Sequence, residues 1–193
     1  MFNEWKDFPE LKGKHSFLSP SKWHWINYDD GRLIEAYNNS YAAVRGSELH
    51  EFAAQAIKLG IPLKNDHSTL SMHVNDAIKY RMRPEQILYF SDKCFGTADA
   101  ICYRNGVLRI HDLKTGVIPA HIEQLMLYAA MFCLMYEEDP FKMRAIELRI
   151  YQNDNVTVCT PTPAEVKNFI DIMVHANNVV KDLTSLPSMD FEY

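Results

Sequence analysis

Glycine is scarce in this chain of 193 residues, and no apolar run approaches the roughly 18 residues of a membrane span. The shortage of glycine, set beside generous aromatic content, argues against disorder over most of the length. No C-x-x-C pair occurs: Cys94, Cys102, Cys133 and Cys159 stand singly, so neither a zinc ribbon nor a local cluster motif is indicated. Cys102 and Cys133 are expected as small core residues in a reducing compartment. Excess positive charge is also missing. The net charge is −5, so any nucleic-acid contact must come from a local basic patch or through a bound cation. The opening Met-Phe-Asn-Glu-Trp-Lys-Asp lacks a basic-then-apolar signal pattern. An intracellular, cytoplasmic protein without a membrane partner is expected. There is no repeat or low-complexity tract. The expectation is one domain over 1–193, with an N-terminal arm at 1–28 and a loose tail at 185–193.

What is present reads as alternating structure. The arm interleaves Trp5, Trp23, Trp25 and Tyr28 with Lys6, Lys12, Lys14 and Lys22. Such a mixture can stack bases and hold phosphates, but Trp more often packs, and a packed arm is the favoured reading. Helical spacing predicts helices over 30–43 and 45–59, the second with Leu49, Phe52, Ala53, Ala56 and Leu59 as its apolar stripe. A further helix is predicted over 67–82, closed by Arg83-Pro84, then a strand over 86–91. Pro119 is expected to start a central helix running to about Glu137. Strands at 143–152 and 155–160 precede a last helix at 163–184. Thr162 and Glu165 form a capping box at its start. This order implies a mixed α/β fold: a small mixed sheet flanked by helices.

Residues 95–104 and 107–114 are two strand-like runs joined by Asn105-Gly106, the pair that a type I′ turn prefers because both central residues need positive φ. With that turn Arg104 faces Val107, and facing residues have numbers summing to 211. Asp99 would then face Asp112, with Cβ atoms roughly 5 Å apart. Like charges so placed are destabilising, and a raised pKa or a cation must offset the cost. The alternation of strand side chains puts Lys114 on the face of Asp112, with Ile101, Tyr103, Leu108 and Ile110 nearer the turn. The apolar neighbours imply a covered face. The plainer alternative is a solvated hairpin whose acids point at water.

Other candidates group around this hairpin. His50 stands on a predicted helix after Arg45-Gly46-Ser47-Glu48. A lone helix His is usually structural or exposed, yet the acids nearby suggest metal ligation, with Glu48 or Glu51 as substitutes. Gln124 and Tyr128 are four apart and share a helix face. Among apolar neighbours Gln124 must find a partner, either backbone or the acid–lysine group. His111 should point away from Asp112 and is read as structural.

In order along the chain, His50, Gly96-Thr97-Ala98-Asp99, Asp112-Leu113-Lys114 and Gln124-Leu-Met-Leu-Tyr128 resemble the RecB-like branch of the PD-(D/E)XK nucleases. The resemblance covers Gly46 to Tyr128, a little under half of the chain. The opening His15-Ser-Phe-Leu-Ser-Pro-Ser and Arg45-Gly-Ser-Glu-Leu-His-Glu also resemble small bacteriophage-encoded nucleases of this branch. Ala98 departs from the Pro of many superfamily members. The cysteines do not match the four-cysteine iron–sulfur arrangement of some relatives, so no iron–sulfur cluster is expected. No helicase motif is present.

The resemblance implies a restriction-endonuclease-like core forming one nuclease domain. It implies Mg²⁺ or Mn²⁺ held by His50, Asp99, Asp112 and the Leu113 carbonyl. Carboxylates suit these hard ions, and an imidazole shifts the balance toward Mn²⁺. Asp99, Asp112 and Lys114 would be catalytic, and Gln124 and Tyr128 would position the backbone of the substrate. The implied activity is metal-dependent hydrolysis of DNA, as an exonuclease in phage or bacterial DNA processing or recombination, in the host cytoplasm if phage-encoded. DNA is the expected partner, with a homo-oligomer or a recombination protein as further possibilities. The competing readings are an inactive relative that serves as a DNA-binding or scaffold subunit, a structure-specific endonuclease, and a nuclease acting on RNA.

Overall fold

The computed structural model describes residues 16–18 and 20–185. Trp5, Lys6, Lys12, Lys14 and His15 lie outside the described residues, as do the side chains of Lys22 and Trp23 and the tail beyond 185. Contacts divide the chain into two units, 1–47 and 48–193. The first contains a 3-10 helix, Pro20–Asn27, and the opening of helix α1, Asp30–Leu59. There the Phe17 ring meets Tyr37 edge-on, and Arg32 sits over the ring of Tyr28.

α1 is one helix where two were expected. Gly46 is buried and stays helical, at a cost of about 1 kcal/mol relative to Ala that packing can absorb. Its buried stripe also differs from the expectation. Ala53, Ala56 and Ile57 are buried, whereas Phe52 and Leu59 are exposed. The buried side therefore runs through positions 50, 53 and 57, and His50 is half-buried on it.

The second unit is a five-stranded mixed sheet with helices on both faces. Its strands are β1 (Arg83–Ser91), β2 (Cys94–Arg104), β3 (Val107–Leu113), β4 (Ala145–Gln152) and β5 (Asn155–Cys159), and they lie in that spatial order. Only β3 and β4 are parallel, which requires a crossover connection. Helix α3 (Glu123–Tyr136) supplies it. α3 and α4 (Pro163–Ser185) cover one face with Leu125, Ala129, Phe132 and Val166 against Leu88, Ile101, Leu108, Ile110 and Leu148. The end of α1 and helix α2 (Thr69–Lys79) cover the other with Ala53, Ile57, Val74 and Ala77 against Ala100, Cys102, Leu113 and Tyr151. Each fully buried Leu or Ile contributes about 1.5–3 kcal/mol.

Three boundaries depart from the sequence pattern for identifiable reasons. α2 ends at Lys79, because Arg81 takes a left-handed φ of 53° and turns the chain into β1. Arg83-Pro84 therefore opens a strand instead of closing a helix; β1 is an edge strand, where the missing N–H of Pro84 is tolerated. α3 starts at Glu123, not at Pro119. The Gln152 side chain accepts from the Ala120 N–H and donates to the carbonyls of Gly116 and Ile118, tying 116–120 into a loop ahead of the helix. α4 begins as expected, with Thr162 and Glu165 bonded reciprocally.

The hairpin turn has φ of 52° at Asn105 and 74° at Gly106, as a type I′ turn requires. The β2–β3 ladder follows the expected register from Arg104↔Val107 to Ala100↔His111. It stops there, one pair before Asp99 and Asp112. The β1–β2 ladder breaks at the same place: Pro84↔Ala100 and Gln86↔Ala98 are paired, but Glu85 and Asp99 between them are not.

Candidate active site

The two interrupted ladders meet at Asp99. Glu85, across from it, is held at a left-handed φ of 48°. The break shifts the alternation of β2 by one residue. Ala98 packs on the α3 side, and so does Ile101, while Ala100 and Cys102 pack on the α1–α2 side. Freed from the ladder, the Asp99 carboxylate does what a backbone carbonyl would have done. Its Oδ2 accepts the Leu113 N–H at 2.7 Å and lies 3.4 Å from His50 Nδ1. The expected Asp99–Asp112 ladder pair is thus replaced by a side-chain bond to the next residue of β3.

Asp112 alternates with Leu108 and Ile110 and points to the α3 side, with its side chain only 4% exposed. Lys114 Nζ lies 3.1 Å from Asp112 Oδ1 and 3.0 Å from Oδ2, and donates to Gln124 Oε1 at 2.8 Å. Asp112 Oδ2 is buried, and despite that ion pair it has no partner with hydrogen-bond geometry. The Lys114 backbone N–H donates to Tyr151 O, so β4 fixes where the lysine leaves the sheet. Tyr128 lies one turn beyond Gln124. A Cβ on Gly96 would approach Tyr128 Cε1 to 2.9 Å, so the bare backbone of Gly96 is what lets the tyrosine ring lie against β2.

Charge in this group is unbalanced. Burial and the Asp99 charge push the Asp112 carboxyl above its usual range. Burial raises Glu85 as well, with Asp99 adding to it. The hydrogen bond to Asp99 raises His50 against the opposing effect of burial. Burial also raises the Tyr128 hydroxyl.

Ligand atoms of His50, Glu85 and Asp99 lie within 4.8 Å of one another, close enough to share a cation. Asp112, predicted as a ligand beside them, is not part of this trio, and its Oδ2 has no hydrogen-bond partner. Glu48 and Glu51, the substitutes considered for His50, are exposed. His111 points away from Asp112 and is buried against Tyr151. Glu85 was not anticipated. From Arg83↔Ile101 to Tyr89↔Phe95 facing residues sum to 184, which sets 85 opposite 99, but a shift before Ser91↔Cys94 moves the register by one, so counting back from the turn would have missed it. Oxygen donors with one imidazole suit Mg²⁺ or Mn²⁺, and the buried Asp112 Oδ2 is a polar atom for which such an ion would provide a partner.

The family model described as "Protein of unknown function (DUF2800)" matches residues 77–181, more than half of the chain. This chain belongs to the DUF2800 family. No curated protein and no solved structure matches it. Within the DUF2800 span lie Glu85, Asp99, Asp112, Leu113, Lys114, Gln124 and Tyr128; His50 is supplied from before it. Among the described residues, no helix of this DUF2800 protein is long and apolar enough to cross a membrane.

Proposed function

We propose that this protein is a divalent-cation-dependent deoxyribonuclease with a restriction-endonuclease-like core of the RecB-like PD-(D/E)XK type, acting as an exonuclease. The observation that carries the reading is the grouping of two buried or half-buried aspartates, an aspartate-held lysine and a histidine where both ladders of β2 break. Mg²⁺ or Mn²⁺, when bound by His50, Glu85 and Asp99 with Asp112 and the Leu113 carbonyl, supplies Lewis acidity and lowers the pKa of a water.

The chain's own groups do the rest. Asp112 and Gln124 hold the Lys114 ammonium, whose charge stabilises a phosphorane-like transition state and orients the attacking water. Asp99 is anchored by the Leu113 N–H, so little reorganisation is needed when charge develops. Tyr128 and Gln124 present a hydroxyl and an amide to the phosphate backbone. The 30% exposure of His50 and of Lys114 leaves this group open to a polymeric substrate.

The test is cleavage of linear duplex, circular duplex, single-stranded DNA and RNA with Mg²⁺, with Mn²⁺ and with chelator, using Asp112→Ala as control. Metal-dependent loss of linear DNA by the wild type alone is expected. A wild type that cuts nothing under any condition refutes the nuclease reading. Circular duplex cut as fast as linear refutes the exonuclease part.

A further inference from the structure

Beyond the metal-binding end, the β1–β2 ribbon carries an aromatic surface that the proposed chemistry leaves unused. Counting back from Glu85 and Asp99, the next pairs on their face are Ile87↔Thr97 and Tyr89↔Phe95. The intervening pairs Gln86↔Ala98 and Leu88↔Gly96 turn the other way, toward α3. Ile87 is 57% exposed, Tyr89 44% and Phe95 62%. The Tyr89 and Phe95 rings are near-parallel, at 22° with centroids 6.5 Å apart. The Tyr89 hydroxyl is tied to Asp92 Oδ1 at 2.5 Å, which orients its ring and engages the nearest acid. Lys93, exposed in the turn, adds a positive charge at the far end.

We propose that this face is a stacking platform for a single-stranded segment of the nucleic acid whose phosphate lies at Asp99. The inference rests on the nuclease reading and names where the substrate runs. Three arguments select this occupant. The platform is continuous with the candidate site, on the same face of the same two strands. Its chemistry is a pair of flat π surfaces followed by a lysine, the combination that takes bases and a phosphate together. Its distance also fits. At about 3.4 Å of rise per residue, Phe95 lies roughly 14 Å along β2 from Asp99. That is about four stacked nucleotides at roughly 3.4 Å each.

The experiment is equilibrium binding with Ca²⁺ in place of Mg²⁺, using a fluorescent single-stranded oligonucleotide and a matching strand of abasic spacers. The proteins are wild type, Phe95→Ala, Tyr89→Ala and Phe95→Trp, each checked for an unchanged melting temperature. Both alanine variants should bind the normal strand about tenfold more weakly. Phe95→Trp should stay near wild type, and all four proteins should bind the abasic strand alike. Equal binding of the normal strand by wild type and both alanine variants overturns the platform. So does a change of oligomeric state on sedimentation of Phe95→Ala, which would make the face a protein interface. A wild type that cuts DNA but is indifferent to Phe95 sinks this inference and leaves the nuclease reading standing; one that neither binds nor cuts sinks both.

Discussion

Two groups of ionisable side chains lie beside β3, and their charges are matched to different degrees. On the α2 side, Asp76 accepts from Arg149 Nη1 at 2.7 Å and from the Tyr151 hydroxyl at 2.8 Å. Arg149 also reaches Glu147 and the Tyr80 hydroxyl, and Arg109 lies over the Tyr80 ring while pairing with Glu147. Arginines and acids match, and the two histidines in their midst are held neutral: burial pushes His73 down to about 4 and His111 to about 2. The second group, Glu85, Asp99 and Asp112, has three acids for one lysine and one histidine; both groups leave buried polar atoms without a hydrogen-bond partner, Asp112 Oδ2 here and nitrogens of His73, His111 and Arg109 there. A balanced buried network is a structural device. An unbalanced one needs something from outside the chain, and a divalent cation is the simplest supplier.

The sharpest way to break this contrast is to neutralise one acid in each group. Asp112→Asn should cost at least about a thousandfold in DNA cleavage, equivalent to about 4 kcal/mol, while metal-free stability holds or rises because a buried repulsion is relieved. Asp76→Asn should do the reverse, losing about 2 kcal/mol of stability with the charged hydrogen bonds. Urea titrations and cleavage rates on both variants check it. Equal behaviour would erase the distinction. Mn²⁺ should also raise the melting temperature of the wild type and not of Asp112→Asn.

Acid should attack the balanced side next. A histidine with a lowered folded pKa gives stability that is full above its unfolded value near 6.5 and is lost as pH falls toward the folded value, because the unfolded chain then binds more protons. For His73 the window is pH 6.5 to about 4, and the loss is on the order of 3 kcal/mol. Denaturation midpoints across that window should fall, and less steeply in His73→Asn. The mildest test concerns the approach of α3 to β2. Gly96→Ala forces the Tyr128 ring away, and should lower cleavage about tenfold for roughly 1 kcal/mol of stability. Restoration by Tyr128→Leu of stability but not of activity would locate the effect in the tyrosine.

Much of the site was legible because its determinants are local. Asn105-Gly106 dictates the turn, the turn dictates the register, and the register brings Asp112 and Lys114 to the end of β3 beside α3. Gln124 is where helical spacing puts it, and it does meet Lys114. The parts that escaped depend on tertiary context. Nothing in Arg83-Pro84-Glu85 announces that a left-handed residue will break two ladders, and the motif Arg-Pro reads more naturally as a helix end. Gly46 reads as a break, yet it is helical and buried. Pro119 reads as a helix start, but the side chain of Gln152, 33 residues later in sequence, ties 116–120 into a loop ahead of the helix. The Asp99–Asp112 juxtaposition followed correctly from the register as far as Ala100↔His111, and failed at the one step where a carboxylate outcompeted a carbonyl for the Leu113 N–H.

The interruption at Glu85 and Asp99 reverses the grammar of β2. Before it, even-numbered positions meet α3; after it, odd-numbered ones do. Tolerance to substitution should therefore change parity along a single strand. Bulk is limited at 96 and 98 by the helix above, and from 101 onward that same helix instead constrains 101 and 103. Losing one residue from either strand at this point would restore uninterrupted alternation there and remove the irregularity that frees the Asp99 carboxylate.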